Sequence, residues 1–141
     1  MDDEKTQPSA LRIAGNVLIF LPGLGVAFFS ILKFAGVPAV VQTMAADGFS
    51  GSKLMLVAVL EFLSAALFLL TPTRSLGVLV MSSLLGGAIC THVLMGEYAK
   101  AIGPVIFLTL AWIGVWLRHP QALWSLASDH AGTTAAQKVG R

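Results

Sequence analysis

The sequence predicts an all-α fold, a four-helix transmembrane bundle with a short surface helix in the first outer loop. Three observations lead there. Hydrophobic residues make up 56% of the chain and charged residues 11%, too few polar groups to cover the outside of a small soluble core. Four apolar stretches reach or approach the roughly 20 residues that cross about 30 Å of hydrocarbon: Leu11–Phe34, Leu54–Leu70, Leu76–Met95 and Ala101–Leu117. Between the first two, Val37, Val40, Val41 and Met44 fall at the spacing of one helical face.

The division that follows is a cytoplasmic N-terminal segment at 1–10, a membrane domain at 11–118 and a partly disordered cytoplasmic tail at 119–141. The leading stretch MDDEKTQPSALR is net acidic, unlike the positive start of an export signal, so the first apolar run reads as a retained span. That span carries Pro22 among Gly15, Gly23 and Gly25, and a proline there is expected to kink the helix. Lys33 lies at its far end, where a lysine stem runs along the helix to reach water.

In the loop that follows, Pro38 suits the first turn of a helix and Asp47-Gly48 its stop. Such a helix lies on the outer surface or folds over the bundle as a lid. The third span repeats small residues every fourth position, Ser82, Gly86, Cys90 and Ser83, Gly87, Thr91. Rows of this kind let helix backbones approach closely in lipid, so Ser82, Ser83, Gly86, Gly87 and Cys90 are read as helix-packing residues within the bundle or an oligomer. Trp112, Trp116 and Trp124 gather toward one end of the fourth span and are read as interfacial anchors.

An even number of spans puts both termini on one side. That side carries Lys5, Arg12, Arg74, Arg118, Lys138 and Arg141, against Lys33, Lys53 and Lys100 opposite. The positive-inside rule makes the richer side cytoplasmic. The basic residues are thereby used up in setting topology, and none forms a nucleic-acid patch. Cys90 is the single cysteine, which leaves no intramolecular disulfide or CxxC pair.

Glu61 is the one charged residue between Leu54 and Leu70. A carboxylate there costs about 2.5–3.5 kcal/mol on insertion scales and points to a partner or a task. Helix rise places it roughly 10 Å below the outer surface, in the same layer as Lys33, Cys90, Thr91 and His92. Ala58, Ser64 and Ala65 share or border its face, which turns it inward. Lys33, Glu61, Thr91 and His92 form a candidate polar pocket for a headgroup, a quinone-like ring or a proton. An interhelical pair that holds the bundle together accounts for the same residues. No catalytic residue is assigned, and no phosphate loop or Ser-His-Asp arrangement can be drawn. No metal site is expected: His119 and His130 belong to the tail, leaving His92 with Glu61 and Glu97 on the outer side.

With these elements in place, GGAICTHVLMGE closing the third span and WIGVWLR closing the fourth resemble the DoxX-like family of small bacterial membrane proteins, from about Val26 to Arg118. SILK at Ser30–Lys33 loosely matches the Ser-Gly-x-x-Lys-like end of that family's first span, without its glycine, Glu61 matches its span-two glutamate, and Gly87, Ala88 and His92 match its G-A-x-x-x-H element. The resemblance implies a multi-pass protein of the bacterial inner membrane and a non-catalytic subunit or accessory protein of a quinone-linked redox system. Quinone is the one cofactor it suggests, and its partners would be the lipid bilayer, further copies of the chain or a larger redox protein. Two other readings stay open: an oligomeric proton or solute conduit using Glu61, and an enzyme acting on a lipid or isoprenoid.

Overall fold

Each predicted span is a helix in the computed structural model, which describes residues 9–118. The helices are α1 (Ser9–Phe34), α2 (Pro38–Ala46), α3 (Ser52–Leu69), α4 (Arg74–Leu94) and α5 (Tyr98–Arg118). All but α2 are long and apolar enough to cross a membrane, and there is no strand among the described residues. The outward faces carry Leu24, Phe28, Leu56 and Leu79, each more than half exposed (56%, 57%, 60% and 56%). Such faces are stable in hydrocarbon and not in water. Trp124, His119, His130, Lys5 and the proposed tail lie outside the described residues.

The short helix begins at Pro38 and is followed by Asp47 at its C-cap, as the spacing of its valines and its turn residues predict. Gly36 ends α1 with φ +64°. This is the left-handed residue of a cap in which the Gly36 and Val37 amides donate to the Lys33 and Leu32 carbonyls. The same cap at Gly96 (φ +74°) ends α4, with the Glu97 amide donating to the His92 carbonyl at 2.8 Å. At the opposite end α3 and α4 are joined by a tight 3-10 turn at Thr71–Thr73. There buried Arg74 caps α3: its Nε and Nη2 donate to the Phe68 and Leu69 carbonyls, each at 3.3 Å. A guanidinium supplies the donors that the last carbonyls of a helix lack.

Around the bundle, α1 packs on α3 and α5, and α4 packs on the same two, which sets α1 and α4 on a diagonal. Val26 and Leu85 carry the core up to the middle of the bundle, but it is densest toward the end that holds the termini of the described chain. Ile19, Phe68, Val78, Met81, Ala111 and Val115 meet there. The backbones are closest at this end: a Cβ on Gly77 would lie 2.2 Å from the Phe68 amide nitrogen, and one on Gly114 2.9 Å from that of Ile19. Gly15 makes room for the Arg118 side chain in the same layer.

Toward the other end α1 stays packed on α3, with Ser30 and Ala58 fully buried, while α4 and α5 leave open space. A Cβ on Gly86, Gly87 or Gly103 would meet nothing within 4 Å. The small-residue row of α4 therefore makes only part of the packing expected of it within one chain. Ser82 does bridge helices, accepting from Trp112 Nε1 at 2.9 Å while donating to the Val78 carbonyl at 2.6 Å. Ser83 and Cys90 are exposed, and Gly86 and Gly87 meet no neighbouring helix. The α4 glycine that does bring backbones together is Gly77, outside that row. Trp112 is likewise an interhelical hydrogen-bond donor beside the core, whereas Trp116 is 60% exposed as an anchor would be.

Candidate functional site

Where the helices diverge they enclose a cavity of about 850 Å³, within the range of small-molecule sites. Its walls are mostly apolar: Val26 and Phe29 of α1, Val57 and Leu60 of α3, Leu84 and Leu85 of α4, and Phe107 of α5. Met44 of α2, with Asp47 and Phe49 just after it, completes the lining. The short helix is thus placed as a lid over this end of the bundle, one of its two predicted positions.

The four residues expected to form a polar pocket, Lys33, Glu61, Thr91 and His92, all line this cavity. The structure brings two of them into direct contact. Lys33 Nζ donates to both carboxylate oxygens of Glu61, joining α1 to α3, and the two side chains are 6% and 16% exposed. The helices dictate this meeting. Ala58, Ser64 and Ala65 bury the small face of α3 against its neighbours and turn Glu61 inward. The Ser64 hydroxyl donates to the Glu61 carbonyl at 2.8 Å. On α1 the fully buried Ser30 donates to the Ala27 carbonyl at 2.7 Å, one turn before Lys33.

Thr91 and His92 do not join that pair. Thr91 returns its hydroxyl to the Gly87 carbonyl at 2.9 Å, a bond within its own helix. His92 instead belongs to a second polar group at the cavity's rim. Its Nδ1 lies 3.6 Å from Glu97 Oε2, and Lys100 Nζ lies 2.8 Å from Glu97 and 3.4 Å from Asp47 Oδ1. The Lys100 ammonium, with a smaller contribution from His92, holds the Glu97 carboxyl below the usual carboxylate range.

Asp47 and Lys100 are absent from the sequence reading of the site. Asp47 reads there as a helix stop and Lys100 as a charge at a span's start. The Glu97–Lys100 spacing of three residues is the one local signal that these groups pair; the contact with Asp47 spans the whole of α3 and α4. Gly103 and Pro104 also line the cavity. Pro104 has no amide to give the Lys100 carbonyl, so the first turns of α5 are held less firmly beside the cavity. Chemically, the arrangement offers an apolar volume, a paired ammonium and carboxylate in its wall, and a mixed-charge rim.

The chain belongs to the DoxX-like family, whose family model matches residues 10–114. That match takes in α2, α3 and α4 whole, most of α1 and α5, and every lining residue of the cavity. No curated protein and no solved structure matches the chain.

Proposed function

From that membership and the shape of the cavity we propose that the protein is a non-catalytic accessory subunit of a quinone-linked redox system in a bacterial inner membrane, and that it holds a quinone ring between its helices. The observation that carries this reading is the cavity with Lys33 and Glu61 paired in its wall. Ring and isoprenoid match apolar walls such as Phe29, Leu60 and Phe107. Because Lys33 and Glu61 neutralise one another, the polar spot suits a neutral acceptor such as a quinone carbonyl better than a bare anion or cation. Both termini face the cytoplasm in this proposal, since the sequence puts six basic residues, Lys5, Arg12, Arg74, Arg118, Lys138 and Arg141, on the terminal side against Lys33, Lys53 and Lys100 on the cavity side.

The test is binding in detergent. Tag-free protein is titrated with a short-chain ubiquinone while tryptophan fluorescence is followed, and solvent extracts of the purified protein are analysed for lipids. Saturable quenching at one quinone per chain, weakened in Glu61→Gln, supports the reading. An extracted lipid that the protein converts to product replaces it with the enzyme reading. No saturable binding and no extracted ligand leaves the conduit reading in which Glu61 carries a proton or cation.

A further inference from the structure

Outside the Lys33–Glu61 pair, the chemistry-bearing side chains concentrate at the rim. Asp47, His92 and Glu97 each place one ligand atom so that the three atoms lie within 4.8 Å of one another. They come from the end of the lid helix, the last turn of α4 and the connection into α5. This is more than a patch of surface acids. One donor is an imidazole nitrogen, the Asp47 side chain is 7% exposed, and His92 Nδ1 is shielded from solvent without a hydrogen bond, with Glu97 Oε2 3.6 Å away. A buried imidazole nitrogen lacking a hydrogen-bond partner is costly unless something else binds there.

The spacing suits a shared ion. Two ligands bound at about 2.1 Å can stand no more than about 4.2 Å apart, and His92 Nδ1 to Glu97 Oε2 is 3.6 Å. The full set spreads to no more than 4.8 Å, so side chains must rotate inward by a fraction of an ångström to share one ion. Charge agrees as well, because Asp47 and Glu97 carry two negative charges against the single ammonium of Lys100. That ammonium sits on a flexible stem, and the Lys100 side chain is 43% exposed, so it can swing to water as a cation enters from the solvent side. We infer that Asp47, His92 and Glu97 form a binding site for a first-row divalent cation, in which Lys100 is the counter-ion of the metal-free state. One imidazole and two carboxylates leave coordination positions for water, the ligand count of an open zinc-type site. A bound ion would also tie the lid to the α4–α5 corner.

The measurement is Zn2+ affinity by competition with a chelating dye, on tag-free protein carrying Cys90→Ser, His119→Gln and His130→Gln. That background removes every other Cys and His of the chain. One Zn2+ per chain is expected, weakened about ten-fold or more by either His92→Gln or Asp47→Asn. Lys100→Met tightens binding, because the competing ammonium is gone. This gain separates the proposal from a plain ion-pair cluster and does not depend on the loss variants folding well; helical circular dichroism and elution volume check them. Absence of saturable Zn2+ binding in both the background protein and Lys100→Met overturns the inference. So does undiminished binding in folded His92→Gln or Asp47→Asn.

Discussion

The hollow half of the bundle can be filled without disturbing the packed half, and doing so separates ligand binding from folding. Gly87 on α4 and Gly103 on α5 both line the cavity, and a Cβ at either meets nothing within 4 Å. Replacing each by leucine inserts two branched side chains from adjacent helices into the space assigned to the quinone. Helix propensity favours leucine over an interior glycine by somewhat less than the roughly 0.8–1.0 kcal/mol that separates alanine from glycine, so Gly87→Leu/Gly103→Leu is expected to hold or raise its melting temperature in detergent. Quinone affinity should fall at least about ten-fold, equivalent to roughly 1.4 kcal/mol. Gly86 is the control. It too has nothing within 4 Å of a Cβ but does not line the cavity, so Gly86→Leu should gain similar stability and bind quinone normally. Tryptophan quenching reads binding, and a thermal ramp reads stability. Unchanged affinity in the double variant refutes the cavity as the site, and a fall in melting temperature refutes the claim that this half is open.

The packed half should respond in the opposite sense. Gly77→Ala puts a Cβ 2.2 Å from the Phe68 nitrogen, where ordinary contact begins at 3.4 Å; backbone must move, and a loss of about 1–3 kcal/mol is expected despite better helix propensity, read as a lower melting temperature. Arg74→Met removes charged donors from the Phe68 and Leu69 carbonyls and should cost about 1.5–3 kcal/mol in the same assay. In a Cys90→Ser background, Ser50→Cys should react with an impermeant maleimide on intact cells; reaction only after the inner membrane is opened reverses the proposed orientation. Glu61→Gln or Lys33→Met alone strands one half of a buried pair and should destabilise by about 3–5 kcal/mol, checked by thermal stability in detergent.

The span boundaries and the lid helix are legible because they rest on local patterns: apolar length, valine spacing, Pro38 at a first turn and Asp47-Gly48 at a stop. The co-location of Lys33, Glu61, Thr91 and His92 around one cavity was legible from depth alone, since an up-down bundle puts residues at equal distance from one face in one layer. Which of them touch was not. Depth fixes the layer but not the rotation of each helix about its axis, and rotation gives Glu61 to Lys33 and leaves His92 to Glu97. Small residues were ambiguous for a related reason. A glycine marks either a close crossing or an empty space, and Gly77 and Gly87 differ only in what stands opposite. Asp47 reaches Lys100 through a contact that no local spacing encodes.

The position of the Lys33–Glu61 pair bears on whether it serves the fold or a ligand. A pair kept only to hold helices together is replaceable: exchanging both members for groups without charge is often neutral or stabilising once neither is stranded. The pair also stands in a buried α1–α3 contact beside Ser30 and Ala58, where apolar side chains would join the two helices at no desolvation cost. What apolar replacements cannot supply is a polar spot in the wall of an apolar cavity. The combined variant Lys33→Met/Glu61→Gln should therefore recover much of the stability lost by either single change, giving a coupling energy well outside additivity, yet still bind quinone more weakly than the unaltered protein. Recovery of stability together with full binding would make the pair a structural tie. Failure to recover stability would mean that its members act through other neighbours. Recovered stability with lost binding is the outcome expected of a polar group retained for its ligand.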